Sequence, residues 1–401
     1  METLLEKQVQ TFKLTEEQEL LRKTIREVSE ENFKEKAREI DKSHRFPKEN
    51  FQLLANLGMT GLTIPEKYGG AGLDCISYAI LIEEIARVCV TTSVILAVHL
   101  SLCSVPIVKF GSDVLKEKYL RKLALGEILG AYCLSEPGSG SDAANILTRA
   151  YDKGEHFILN GTKAWITNGS EADIYVVFAQ IDPGLKHKGI TAFIVEKNMP
   201  GISFGKLEDK LGIRASSTCQ VILDNVKVPK ENLLGNVGDG FKIAMMTLDR
   251  GRIGIACQAL GIAQASFDLA SSYAKVREAF GQKIINFQAI RFMLVEIATE
   301  IEAGRLLTYQ AANMYDVWAC HGVPLPFTRQ SAEAKLFCSE LANYAASKAV
   351  QILGGYGYTT EYDAERYFRD AKITEIYEGT SEIQRIVIAK NIIKELTNSR
   401  H

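Results

Sequence analysis

Ala131-Tyr132-Cys133-Leu134-Ser135-Glu136-Pro137-Gly138-Ser139-Gly140-Ser141-Asp142 is the stretch at which the texture of the chain changes. A short apolar run ends in a loop of small hydroxyl residues and glycine. Apolar, β-branched runs then recur at 157–159, 174–178, 191–195 and 220–223. Asn160-Gly161, Asp182-Pro183-Gly184 and Asn198-Met199-Pro200-Gly201 stand between them as turn signals. Short strands separated by turns predict a compact β unit, a barrel or a sandwich.

On either side the apolar spacing is helical. Upstream, Thr15 is placed as an N-cap with Glu16 and Glu17 in the first turn, Pro47 opens a later helix, and Gly126 stops the last one. Downstream, the stretches 241–274, 287–314, 327–353 and 382–396 all carry helical periodicity, which predicts a bundle of long helices. A chain of 401 residues exceeds a single core and should hold two or three domains. The reading is α+β: a helical unit over 1–127, a β unit over 128–240 and a helical bundle over 241–401.

Composition excludes several classes. A net charge of -2 sets up no field that favours nucleic acid. No apolar run reaches the ~18 residues of a membrane helix. The first 18 residues hold four glutamates and no arginine, unlike a transit peptide or a secretory signal. The eight cysteines form no Cys-x-x-Cys pair and no zinc spacing, so free thiols in a reducing compartment are expected. That compartment is the cytoplasm, or the mitochondrial matrix if this is a processed eukaryotic chain. No His-rich or acidic pattern points to a metal. His99, on an apolar stretch, reads as a packed, hydrogen-bonded core histidine.

Six stretches could carry chemistry. The 135–142 loop offers backbone N–H groups and hydroxyls to a polar ligand, or is a plain strand-end turn. Trp165-Ile166-Thr167 could flank a flat ring, or Trp165 could be core. Asp249 and Arg252, three apart on a helix, form an ion pair or a patch for an extended polar ligand. Arg277, Phe280-Gly281 and Gln288 lie at a helix join, where Arg277 meets the last carbonyls or a pyrophosphate. Gln351-Ile352-Leu353-Gly354-Gly355 is a glycine-rich turn after a long helix. Last, Ile376-Tyr377-Glu378-Gly379-Thr380-Ser381-Glu382-Ile383-Gln384 puts a carboxylate on a tight loop ahead of a helix, with Ser381 and Gln384 at capping-box spacing. Locally, Glu378 could be no more than a surface residue.

Taken together and in order, these motifs resemble the acyl-CoA dehydrogenase family of flavoproteins from about residue 14 to residue 393. The resemblance implies an N-terminal helical domain, a middle β-barrel and a C-terminal four-helix bundle. It implies FAD held by Tyr132, Leu134, Ser135, Gly140 and Ser141, with Trp165, Ile166 and Thr167 beside the flavin and Thr380 and Glu382 against it. Arg277, Phe280, Gln288, Gln351, Leu353, Gly354 and Gly355 would hold the adenosine diphosphate half, partly from a neighbouring subunit of a homotetramer. Ser141, Asp249, Arg252 and Gly379 would meet the acyl-CoA, and Glu378 would be the base. Electron-transferring flavoprotein is the implied electron acceptor.

In that chemistry a carboxylate takes an α-proton while the β-hydride leaves to the flavin. A carboxylate of pKa ~4 is a poor base for such a proton, so a dry pocket is needed to raise it. The helix start just after Glu378 pulls the other way. Some branches of the family carry the base just before the arginine of the Asp-x-x-Arg segment. Here that position is Gly251, so Glu378 is the expected base, as in short- and medium-chain members. The segments 243–264 and 369–378 look most like butyryl-CoA (short-chain) dehydrogenases, and branched or aromatic acyl groups stay open. No arginine stands near the start of 93–102, where dicarboxylyl-specific members place one. An acyl-CoA oxidase and a non-catalytic flavin-binding relative are the alternatives.

Overall fold

The computed structural model describes residues 13–321 and 327–398, with side chains left undescribed over 318–321. The reading of the first 12 residues and of Cys320 therefore lies outside the described residues. The chain begins with α1 (Glu16–Asn32), α2 (Lys34–Ser43), α3 (Lys48–Asn56), α4 (Cys75–Ala86), α5 (Val90–Ala97), α6 (Val105–Phe110) and α7 (Asp113–Ala124). Thr15 and Gln18 make a reciprocal capping box at α1. A π-helical stretch, Val98–Ser104, joins α5 to α6. His99 sits in it, fully buried, with Nε2 3.2 Å from the carbonyls of Thr60 and Leu123. Its Nδ1 accepts from the Gly130 N–H at 3.3 Å, and burial pushes its pKa down to about 4. It is a neutral core histidine.

The strands are β1 (Gly130–Cys133), β2 (Arg149–Asp152), β3 (His156–Thr167), β4 (Ile174–Gln180), β5 (Ile190–Glu196), β6 (Ile202–Phe204), β7 (Thr218–Pro229) and β8 (Leu233–Leu234). They form one sheet in the order β6-β7-β3-β2-β4-β5-β8, with β1 parallel to β4. The sheet curls on itself: Phe157 of β3 meets Phe193 of β5 at 5.0 Å, and Tyr175 of β4 meets Phe204 of β6 at 5.9 Å. Asn160-Gly161 is not a turn. It lies inside β3 at a register shift, where a Cβ on Gly161 would come within 2.4 Å of Thr148 Oγ1. The glycine marks a bulge and a close approach, the other use of glycine in a strand.

The C-terminal part contains α8 (Gly240–Val276), the short strands β9 (Glu278–Ala279) and β10 (Gln282–Lys283), α9 (Gln288–His321), α10 (Thr328–Leu353), α11 (Ala364–Thr374) and α12 (Ser381–Asn398). The helix α11, absent from the sequence reading, enters the loop that bears Glu378. Two helical stretches, Val90–Phe110 and Gly240–Val276, are long and apolar enough to cross a membrane by length and composition. Their windows are 83% and 78% buried inside the fold, so their apolar surface is used in the core. They correct the expectation of no such stretch: interspersed Thr, Ser, His, Asp and Arg break up two segments whose mean hydropathy is nonetheless high. The seven described cysteines are free and buried.

Candidate active site

The turn between α11 and α12 is strained. Glu378 has φ 52° and Gly379 φ 98°, two successive residues in the left-handed region. A glutamate there costs energy that the surroundings must supply. They do so at one atom: the Gly379 carbonyl accepts from Lys335 Nζ at 2.7 Å and from Gln384 Nε2 at 2.8 Å. The cap of α12 is Thr380, whose Oγ1 accepts from the Ile383 N–H at 3.3 Å. Ser381, expected to cap, is instead inside the helix with its hydroxyl buried and unpartnered. Gln384 is drawn to the strained carbonyl rather than to a capping box.

This turn aims the Glu378 carboxyl at the backbone of α8. A Cβ built on Gly251 would fall 1.9 Å from Glu378 Oε2. Only glycine leaves room for the carboxyl at this point. The two positions at which the family resemblance allows a base are thus neighbours in space. Glu378 Oε2 is buried with no hydrogen-bond partner. Burial pushes its pKa from 4.5 up to about 7, against the pull of the Lys335 and Arg252 charges. Among the described residues the Glu378 N–H has no acceptor. The hydroxyls of Tyr78, Thr247 and Tyr377 are also buried and unpartnered. Buried polar atoms are normally paired, so a set of orphans marks a place for a ligand.

On α8, Arg252 Nη1 meets Asp249 Oδ1 at 2.5 Å, and Thr328 Oγ1 donates to Asp249 Oδ2 at 2.6 Å. The ion pair is real and buried, and Arg252 Nε remains without a partner. The loop after β1 is held from beneath. Glu136 accepts from Lys163 Nζ at 2.8 Å, from the Thr148 N–H at 3.0 Å and from the Leu147 N–H at 2.6 Å. Lys163 also donates to the Leu134 carbonyl at 3.2 Å. Tyr132 is buried, its ring against Phe178, and Leu134 is buried too, so each offers backbone rather than side chain to a ligand. Ser135 is half-buried, while Gly140 and Ser141 are exposed at the loop tip. Ile166 packs in the β core, so it likewise has only backbone to offer. Thr167 is half-buried on β3.

Trp165 is not a core residue: it is 64% exposed and has φ 62°. Phe280 is 95% exposed at φ 53°. Exposed aromatics held in a costly backbone conformation suit contact with a flat partner. Arg277, Leu353, Gly354 and Gly355 line one cavity of about 480 Å³ with Tyr273 and Tyr356. Gln351 and Gln288 are exposed on the neighbouring ends of α10 and α9. Thr380 and the exposed Glu382 sit by the Glu378 turn. The expected cofactor residues therefore fall into two groups. Gly251, against the Glu378 turn that bears Thr380 and Glu382, and Arg277 are 26 positions apart along α8, a rise of about 40 Å.

Lys335 was missed from the sequence. It is fully buried, and burial pushes its pKa down to about 8 despite the Glu378 charge. Helical periodicity could have found it, because Ala332, Cys338 and Ser339 place it on the inward face of α10. The Glu136–Lys163 pair depends on how β3 lies under the loop and had no sequence signal.

Three family models match the chain: acyl-CoA dehydrogenase N-terminal domain over residues 15–127, middle domain over 131–226 and C-terminal domain over 238–393. The rat protein described as short-chain specific acyl-CoA dehydrogenase, mitochondrial, is 50% identical over 385 residues, covering 96% of this chain and 92% of its own. The structure of butyryl-CoA dehydrogenase from Megasphaera elsdenii superposes with a TM-score of 0.92 at 44% identity, covering 95% of this chain and 99% of its own. An acyl-CoA dehydrogenase from Bacillus anthracis, solved in complex with FAD, gives 0.90 at 34% identity over 97% of this chain and 68% of its own.

Proposed function

Since this chain belongs to the acyl-CoA dehydrogenase family, we propose that it performs the FAD-dependent α,β-dehydrogenation of a short-chain acyl-CoA to the trans-2-enoyl-CoA. The observation that carries this is Glu378 Oε2, buried and unpartnered against Gly251. A carboxylate near pKa 7 is matched to general-base work at neutral pH. Glu378 takes the α-proton. Its free N–H is placed to donate to the thioester oxygen, stabilising the negative charge that develops there. Lys335 holds the Gly379 carbonyl and so fixes the turn. Asp249, Arg252 and Ser141 meet the CoA portion, and Gly379 brings backbone close to the thioester. Bound FAD supplies the acceptor for the β-hydride.

The chain's residues fit that cofactor. Tyr132, Leu134, Ser135, Gly140, Ser141, Trp165, Ile166, Thr167, Thr380 and Glu382 would hold the flavin end. Arg277, Phe280, Gln288, Gln351, Leu353, Gly354 and Gly355 would hold the diphosphate and adenosine. The ~40 Å separation along α8 exceeds what one dinucleotide spans. Each flavin then takes its two ends from two copies of the chain, which requires at least a dimer, as within the homotetramer that the family resemblance implies. Electrons pass on to electron-transferring flavoprotein. The division 1–127, 128–240 and 241–401 and a cytoplasmic or matrix setting belong to the same reading.

Anaerobic titration with a panel of CoA thioesters tests it: butyryl-CoA should bleach the flavin most rapidly, and failure of every thioester to bleach would sink the assignment. Rapid reoxidation of the bleached enzyme by air would identify an oxidase instead.

A further inference from the structure

The reaction leaves one arginine unexplained. Arg250 stands between Asp249 and Gly251 on α8 but takes no part in that site. Its guanidinium lies between two aromatic rings, 4.5 Å from the centroid of Tyr78 and 4.4 Å from that of Tyr315. The residue is 2% exposed, and neither Nε nor Nη1 has a hydrogen-bond partner. Cation–π contacts return part of the cost of burying this charge, but they satisfy no N–H group. A buried guanidinium in this state calls for an acceptor.

Arg250 lines a cavity of about 170 Å³, along with Lys109, Asp316, Cys75, Ser104 and Tyr315. Lys109 Nζ lies 4.2 Å from the Tyr315 ring centroid, so a second cation faces the same space. The Lys109 side chain as a whole is exposed, yet crowding around its ammonium and the Arg250 charge push the pKa down to about 8. Asp316 is the one carboxylate in the lining, and it is already engaged. Its two oxygens accept from the Cys75 N–H at 2.9 and 2.8 Å, at the start of α4. The lining thus holds two cations against one committed anion, a surplus of one positive charge. The volume equals about five or six waters.

We propose that this cavity binds a small, singly charged carboxylate, accepting hydrogen bonds from Arg250 and Lys109. One negative charge matches the surplus, whereas a dianion would face Asp316 with an unbalanced charge. The site is separate from the acyl-CoA reading, so its test requires no turnover.

The test is thermal unfolding of the FAD-loaded protein in sodium acetate against sodium chloride at equal ionic strength and pH 7. A ligand that binds only the folded state raises the midpoint in a saturable way. Acetate should do so beyond chloride. Lys109→Gln, at an exposed position, should raise the half-saturating acetate concentration by about tenfold, the loss of one charged hydrogen bond. Arg250→Lys, if it folds, should raise it further. Acetate and chloride curves that coincide in the wild type overturn the proposal. So does a Lys109→Gln response equal to the wild type's, or a stronger response to inorganic phosphate than to acetate.

Discussion

The carboxyls of Glu136 and Glu378 are both held out of water, and the protein treats them in opposite ways. Glu136 is saturated: an ammonium and two backbone N–H groups fill its oxygens. Burial alone would raise its pKa, but Lys163 and these donors hold it below the usual carboxylate range. Glu378 has an oxygen with no donor at all, and its pKa rises to about 7. The same side chain is a structural tie where donors converge on it and, where they are withheld, a carboxyl whose raised pKa suits the proposed base. A buried carboxylate is therefore informative only together with its donor count.

The largest effect should come from removing the starved carboxylate. Glu378→Gln preserves shape and removes the base. Turnover should fall by about 10²–10⁴, the usual contribution of a general base, while acyl-CoA still binds. Stopped-flow flavin bleaching checks this, and bleaching at the wild-type rate would remove Glu378 from the mechanism.

The saturated partner should respond in stability instead. Lys163→Met strands a buried Glu136 charge, at a cost of about 3–5 kcal/mol in denaturant unfolding. Adding Glu136→Gln to that variant should recover part of the loss, because the stranded charge is gone. No recovery would mean that Lys163 matters for packing rather than for charge.

Glu378→Gln should move stability the other way, and the sign follows from proton linkage. The folded-state pKa, about 7, lies above the unfolded value of 4.5, so the folded protein binds the proton more tightly. Wild-type stability falls as pH climbs from 4.5 to 7 while Glu378 is forced to ionise. Above pH 7 the glutamine variant should be more stable by up to about 3 kcal/mol, and the two should converge near pH 4.5. Melting curves at pH 5 and pH 8 give the contrast.

How much of this could be read from the chain depends on the distance over which each contact is specified. The Glu378 turn was legible, because Gly379 and the helix after it are neighbours in sequence. Its cap was misassigned by one residue, because Thr380 and Ser381 are both competent caps and the strained φ of Gly379 decides between them. Asn160-Gly161 carried the composition of a turn, but Thr148 packs against Gly161 and makes it a bulge. The helical, β, helical order was plain from periodicity, yet α11 was hidden because its buried face mixes Ala364, Tyr367 and Ala371 with Arg366, Asp370 and Thr374. Lys163 and Glu136 lie 27 residues apart and meet only through the packing of β3 under the loop. Arg250 had no signal of its own in the sequence, because its two aromatic neighbours come from α4 and α9.

The smallest predicted effect separates the charge of Lys335 from its hydrogen bond. Lys335 lowers the Glu378 pKa and also donates to the Gly379 carbonyl. With the wild type, kcat/KM should fall about tenfold per pH unit below about 7, as the base becomes protonated. Lys335→Gln removes the charge and keeps a donor, though on a shorter arm. Its acid limb should move to higher pH, by up to about one unit, with the plateau rate largely kept. Lys335→Met removes both, so its limb should move likewise and its plateau should fall too as the turn loosens. If the two variants share one pH profile and one plateau, the hydrogen bond to Gly379 contributes nothing to aiming Glu378. If neither limb moves, the Lys335 charge is screened from the base, and Glu378 is set apart from Glu136 by burial alone.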